Sequence, residues 1–525
     1  MRSVSKLLIG ALVAAGLGGA AQSAQAENVL RWGAHKDIVS LDPYSYGDTF
    51  TISVLAHAYE GLVRYNEKLE IEPSLATSWE VVSPTLWRFH LREGVTFHDG
   101  AAFTAEDVLA SLTRVSDPAS PLRGNLPAYG GAKIVDDHTI DVTVTENYPL
   151  LLNDLTNIVI FDKDWLVKNN AEKPTDVGKG IEGFATNHAN GTGPFEIVER
   201  QPDARTVFVK NPKWWDKPRH NIDRIVFTPI ASPATRVAAL LSGEIDFTNA
   251  APLQDLPRLE SGGDLKVLAN NELRTVFYLF NWADKLQAGA DNPFKDKKVR
   301  EALYLAIDAN SLQKRVMRGL SRTTGSMVAP AIPGYVPSLD ERAPSDPEKA
   351  KALLTEAGYP EGFEFDFVCA NDDYINEEQI CQAVAAMWSR IGLKPKIDIA
   401  PGSLQTAKYE SGKFDVAILG WANEPMLDSY SILVQVVHSK VGTAGVFNWG
   451  GWKIPEVDGY IDQAGRTVDR AERLELQAKA LQYLHDDLTF LPLHQQPMAW
   501  ATGKHVASVL QLSDNKARHW LTMMQ

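Results

Sequence analysis

Cysteine is nearly absent from this chain, with Cys369 and Cys381 the sole pair in 525 residues. A small scaffold stapled by several disulfides is thereby excluded. Beyond the first 26 residues no segment approaches the ~18 uninterrupted apolar residues that a membrane-spanning helix needs. Basic residues are in deficit, 52 Lys plus Arg against 66 Asp plus Glu, for a net charge of −14. That balance disfavours a broad electrostatic footprint for nucleic acid or an anionic membrane. Low-complexity tracts, charge blocks and short-period repeats are also lacking, which argues against a solenoid.

Chemical motifs are equally scarce. Neither a G-x-S-x-G elbow nor an H-E-x-x-H helix occurs, so the commonest serine-esterase signature and the zincin signature are both missing. Gly191-Thr192-Gly193-Pro194 lacks the Lys-Ser/Thr ending of a P-loop and the third glycine of a dinucleotide fingerprint. It reads as a turn entering a strand at Phe195. His98-Asp99 fits a hairpin turn with local hydrogen bonding, and His494 reads as an amphipathic residue at a strand end. No metal, cofactor or catalytic residue is expected; a secreted hydrolase is the alternative of a different class.

What is present begins with an address. Arg2 and Lys6, the run Leu7–Ala21 and Ala24-Gln25-Ala26 form the charged, apolar and A-x-A parts of an export signal. Cleavage after Ala26 and a free periplasmic product are predicted. In that oxidising compartment Cys369 and Cys381 are expected to form a disulfide tying a strand to the next helix. The length of 525 residues and the 44% hydrophobic content allow about three domains with full cores.

The first half reads as mixed, with strands predominating. Around residues 79–100 hydrophobicity alternates, placing Trp87, Phe89 and Leu91 on one face. Thr104 with Asp107 three residues on marks a helix start. Ser232-Pro233 opens another helix and Gly243 closes it. From Phe363 onward the pattern becomes strand (to Cys369), helix (377–391), strand (394–399), helix (404–410) and strand (414–419). Such a βαβαβ unit implies parallel strands, with ligands bound outside their carboxyl ends. Two loops leave those ends, 370–376 and 420–428. The second carries Trp421, Asn423, Glu424 and Asp428, combining aromatic surface, an amide and two carboxylates.

Several segments together resemble the peptide- and nickel-type solute-binding proteins of bacterial ABC importers, extracellular solute-binding family five. They include Leu41-Asp42-Pro43, Tyr59-Glu60-Gly61-Leu62 and Leu75-Ala76-Thr77-Ser78-Trp79. The most specific stretch runs from Trp87 through Gly100 to Thr104-Ala105-Glu106-Asp107-Val108. Gly191–Phe195, Asn211-Pro212 with Trp214-Trp215, Leu241–Asp246, Val299–Ala302 and Pro492-Leu493 extend the match to nearly the whole chain after the signal.

The resemblance implies an α/β protein of two lobes around a cleft, with an extra subdomain inserted in the first lobe. The first-lobe base would hold 27–57, 190–275 and 488–525, the inserted subdomain 58–189 and the second lobe 276–487. It implies a monomer that captures solute by hinge closure and delivers it to an ABC importer permease. In peptide-binding relatives a carboxylate three residues after a tryptophan holds the peptide ammonium, which here matches Trp421 and Glu424, with Asp428 as the fallback. Tyr46 matches a ligand-contacting position of nickel-type relatives, and Trp500 is a further aromatic candidate. Small peptides or peptide-like amines are the expected ligands; an opine, a sugar derivative or a chelated metal is the alternative.

Overall fold

The computed structural model describes residues 27–525 apart from Gly262; the export signal and its cleavage after Ala26 lie outside the described residues. Local signals work as expected. The Thr104 hydroxyl accepts from Glu106 N–H while Asp107 accepts from Thr104 N–H at 2.7 Å, starting the helix Ala105–Val115. That helix buries Val108, Leu112 and Val115. It packs against an antiparallel four-stranded sheet ordered 76–83, 86–91, 139–144, 129–136. In the strand Leu86–Leu91, Trp87, Phe89 and Leu91 are the buried alternates.

A second, much larger sheet organises the rest. Its strand order is 394–400, 364–370, 416–421, 266–280, 490–502, 247–248, 29–34, 224–229, 205–210, 195–201. At one end lies the predicted βαβαβ unit, with Glu364–Ala370 parallel to both Lys394–Ala400 and Val416–Trp421. Its third strand runs two residues beyond expectation, because antiparallel pairing with Thr275–Phe280 holds Gly420 and Trp421 in the ladder. Trp388 of the intervening helix packs on Tyr278, Phe365 and Phe367, and the Cys369–Cys381 disulfide joins strand to helix beside them.

Two long antiparallel strands, Lys266–Phe280 and Phe490–Thr502, occupy the middle of this sheet. Lys266–Asn271 pairs with 497–502, next to Phe247-Thr248. Thr275–Phe280 instead lies between 416–421 and the first half of 490–502. Between these stretches the register shifts, leaving Glu272, Leu273 and Arg274 outside regular pairing. His494 sits inside the long strand, not at its end; it is buried, and burial lowers its pKa to about 4.

Several of the family-like motifs are scaffold. The Asp42 carboxylate takes a bidentate pair from Arg114 at 2.8 and 2.5 Å, both side chains buried. Removing either partner would strand a buried charge, so the pair ties the 41–48 segment to the helix 105–115. Glu60 accepts from the Trp214 and Trp215 indoles and from Thr192 at 2.8–3.0 Å. Gly193 has no room for a side chain: a Cβ there would lie 2.6 Å from the Ala58 carbonyl carbon. This close backbone approach, not a phosphate, explains the glycines of 191–194. His98 bonds this distant segment as well, its Nδ1 accepting from Gly191 N–H at 3.3 Å, so its role is not confined to its own turn.

Candidate functional site

In the parallel unit the chain leaves Glu364–Ala370 toward one neighbour, Lys394–Ala400, while Val416–Trp421 lies on the other side. The carboxyl ends of the two adjacent strands therefore border a crevice from which their loops diverge. The first loop is held by Glu377, whose buried carboxyl accepts from Ala370 N–H at 2.7 Å and Tyr374 N–H at 3.2 Å. Burial pushes that carboxyl up to about 8. Tyr374 is thereby set against Gly420, where a Cβ would meet the tyrosine ring at 2.6 Å and the Arg274 Cδ at 3.0 Å. Arg274 comes from the unpaired step of the long strand. It donates to the Gly420 carbonyl at 3.1 Å and to Glu272 at 3.2 Å, and its guanidinium lies 5.8 Å from the Tyr374 ring centre.

The second loop is anchored at both ends. Trp421 donates through its indole N–H to the Ser431 hydroxyl at 3.1 Å and meets Phe447 edge to face. Asn423 takes a left-handed backbone, φ 58°, a conformation asparagine tolerates better than most residues. Its carbonyl accepts from Leu427 N–H at 2.7 Å, its side-chain oxygen faces Ile432 N–H at 3.3 Å, and its buried amide nitrogen has no partner among the described residues.

Glu424 is 9% exposed at its side chain, with Oε2 3.5 Å from the Lys516 ammonium. Its other oxygen is buried and unpartnered among the described residues. Burial raises its pKa to about 7, Lys516 and Arg274 opposing the rise and Asp514 and Glu272 adding to it. A buried carboxylate with one oxygen unsatisfied favours a cationic hydrogen-bond donor beside it.

The remaining sequence candidates separate from this point. Asp428 is buried, accepting from Tyr430 N–H at 2.9 Å and the Gln477 amide at 2.8 Å, with Arg473 3.8 Å away. Those contacts brace the loop from the helix Arg470–Asp487. Trp500 is fully buried, donating to Asn515 at 2.7 Å and packing edge-on against Phe247. Through Asn515 it supports the segment that carries Lys516. Tyr46 is half-buried beside Gly178, and no hydrogen bond among the described residues joins it to the 420–428 loop. Sequence reasoning missed Glu272, Arg274 and Lys516. They come from two segments without a motif, the strand break 272–274 and the C-terminal stretch carrying Lys516, and only the fold brings them to Glu424.

A cavity of about 440 Å³ lies nearby, between the helix Thr49–Leu55, the hairpin 63–73 and the C-terminal segment. Tyr65, Trp214, Lys516 and Trp520 line it, whereas Trp421 and Glu424 do not. Among the described residues no group of three or more His, Cys, Asp and Glu side chains is arranged to hold a metal ion. No helix among them is long and apolar enough to cross a membrane.

Comparison with known proteins agrees with this architecture. Heme-binding protein A of Haemophilus influenzae is 28% identical over 466 residues, spanning 83% of this chain and 81% of its own. The glutathione-binding protein GsiB of Escherichia coli is 28% identical over 489 residues, 91% of each chain. The solved structure of NikA from Brucella suis in complex with Fe(III)-EDTA superposes with a TM-score of 0.82 at 21% identity, covering 95% of this chain and 100% of that one. This establishes the two-lobed periplasmic binding protein fold. Residues 70–443 match the middle region of the bacterial extracellular solute-binding proteins, family 5, and with most of its length accounted for by that match the chain belongs to this family.

Proposed function

We propose that the protein captures small peptides or peptide-like amines for an ABC importer, holding the ligand's ammonium at Glu424. Solute binding follows from family membership. The observation that carries the ligand class is the buried Glu424 oxygen that has no partner among the described residues, at the carboxyl ends of the parallel strands. Lys516 satisfies one oxygen's electrostatics and leaves the other to the ligand. Trp421 supplies an apolar wall, and the Asn423 amide, unpartnered among the described residues, offers a donor to a peptide carbonyl. Asp428 is the weaker candidate because its acceptors are already engaged. A relative that binds glutathione, itself a peptide bearing an amine, supports the same class.

The lobes divide, on this reading, at the unpaired step Glu272–Arg274 and at the facing part of 490–502, with 58–189 as the inserted subdomain. The protein is secreted to the periplasm, works as a monomer and returns its ligand chemically unchanged, without a cofactor. Calorimetric titration with glutathione and with unblocked tripeptides tests the anchor. Glu424→Gln is expected to weaken binding by about 2–5 kcal/mol, the range for breaking a buried hydrogen-bonded charge pair. Acetylating the amine should cost the wild type as much and the variant far less. Unchanged affinity in Glu424→Gln, with a loss in Asp428→Asn, would transfer the anchor to Asp428. Indifference of both would remove amines as the ligand class.

A further inference from the structure

The inserted subdomain makes its own bonds to the loop that carries Glu424. The Tyr65 hydroxyl lies 3.0 Å from the Pro425 carbonyl oxygen and 2.9 Å from that of Met426. The Asn153 side-chain amide, from the short helix Leu151–Leu155, donates to the same Met426 oxygen at 2.7 Å. A third contact lies at the neighbouring surface. There Asn147 donates to the Arg466 carbonyl at 2.8 Å, and Glu146 pairs with the Arg466 guanidinium at 2.8 Å.

These donors belong to three separate segments, a hairpin strand, a loop and a helix, yet they converge on main chain directly after Glu424 and on the end of the helix Pro455–Arg466. Main-chain acceptors make the contact a test of loop position and not of loop sequence. Tyr65 and Asn153 are partly buried, so their bonds are sheltered, whereas the exposed Glu146–Arg466 pair adds little by itself. The wall that holds Pro425 and Met426 in place also fixes where the Glu424 carboxylate stands.

We propose that the inserted subdomain is a closure latch, in which Tyr65 and Asn153 position the ligand loop by binding its Pro425 and Met426 carbonyls when the lobes meet. The inference rests on lobe closure as read above and is independent of the ligand's chemistry. Each bond exists when the two bodies touch, so each shifts the open–closed balance toward closed by its own contribution. Closure and loop geometry are then one event.

Trapping kinetics on ligand-free protein test this. Glu146→Cys and Arg466→Cys place thiols on the facing surfaces, and no free cysteine among the described residues interferes. The rate at which a short bifunctional thiol reagent bridges them reports the population in which the surfaces meet, however small, once normalised to the reactivity of each single-cysteine variant. Tyr65→Phe is expected to slow bridging about fivefold, the size of one lost hydrogen bond. Adding Asn153→Ala should slow it further, by less than the product of the single effects because both share Met426. Hydrogen exchange separates a latch from a merely structural role. Amides of 423–430 should exchange faster in the variants while those of 86–91 and 364–370 stay unchanged. Bridging at the wild-type rate in the double variant overturns the proposal, as does faster exchange throughout the inserted sheet.

Discussion

At the scale of single residues, Glu424 has a measurable chemical signature. Its carboxyl stands at about 7 because burial disfavours the charge. In the proposed site an incoming ammonium requires the ionised form, so binding and proton release would be linked. Below about 7 the carboxyl is protonated and has no charge to offer; above it, the site is ready. Ligand amines stay protonated up to their own pKa, near 8 for an α-amino group. Affinity for an amine is therefore expected to fall about fivefold from pH 8 to pH 6, the roughly tenfold loss of ionised carboxylate at pKa about 7 being partly offset because the amine is only about half protonated at pH 8. Titration calorimetry across that window should show it, and Glu424→Gln should flatten the profile. An unaltered slope in the variant would assign the pH dependence to another group. That Trp421 and Glu424 lie at and just beyond the end of a parallel strand was legible in the sequence, because a βαβαβ pattern sets approximately where such a strand stops. Lys516, Glu272 and Arg274 were not, since their relevance lies in distances across 92 to 152 residues of chain that no local pattern encodes.

At the scale of elements, helix caps and alternating strands were legible because they depend on neighbours a few residues apart. The Thr104–Asp107 capping box and the buried alternates Trp87, Phe89 and Leu91 are of this kind. The end of the strand Val416–Trp421 was not, because its last residues are held by pairing to Thr275 and Val276. The disulfide has its effect at this scale. It closes a loop of 12 residues in sequence separation, between the strand Glu364–Ala370 and the helix Glu377–Arg390. Loop entropy assigns it about 3 kcal/mol. Urea unfolding followed by fluorescence with and without reductant should recover a loss of that order, with the Cys369→Ala, Cys381→Ala variant insensitive to reductant. The loop so fixed is the one that sets Tyr374 against Gly420. Reduction is therefore expected to weaken ligand binding as well as stability.

At the scale of the whole molecule, the hinge proposed above falls where two strands run through one sheet and change neighbours part-way. In that proposal the register break at Glu272–Arg274 on one of them is the pivot. Ligand capture is expected to reduce the radius of gyration in small-angle scattering, with the same peptides used for titration. An unchanged radius at saturating ligand would argue for binding without closure. That the chain threads back and forth between lobes is implied by family resemblance alone. Periodicity alone detects elements and is silent about which distant elements share a sheet.

That threading also sets a timetable for manufacture. Strand Val29–Ala34 pairs along one edge with Arg224–Pro229 and along the other with Phe247-Thr248, which in turn pairs with Phe490–Thr502. The beginning of the chain thus waits, through Phe247-Thr248, on residues near the end. Until a ribosome has passed residue 502 of 525, the central sheet has an open edge and Lys266–Phe280 lacks its main partner. Completion of the first body is consequently a post-synthetic event, and pairing across such separations is slow. A protein ended after Thr489 should accordingly show the inserted sheet 76–144 partly protected in hydrogen exchange, while Val29–Ala34 and Lys266–Phe280 exchange like unfolded chain. Native-like protection of those two strands in the truncated protein would show that assembly does not await the last strand.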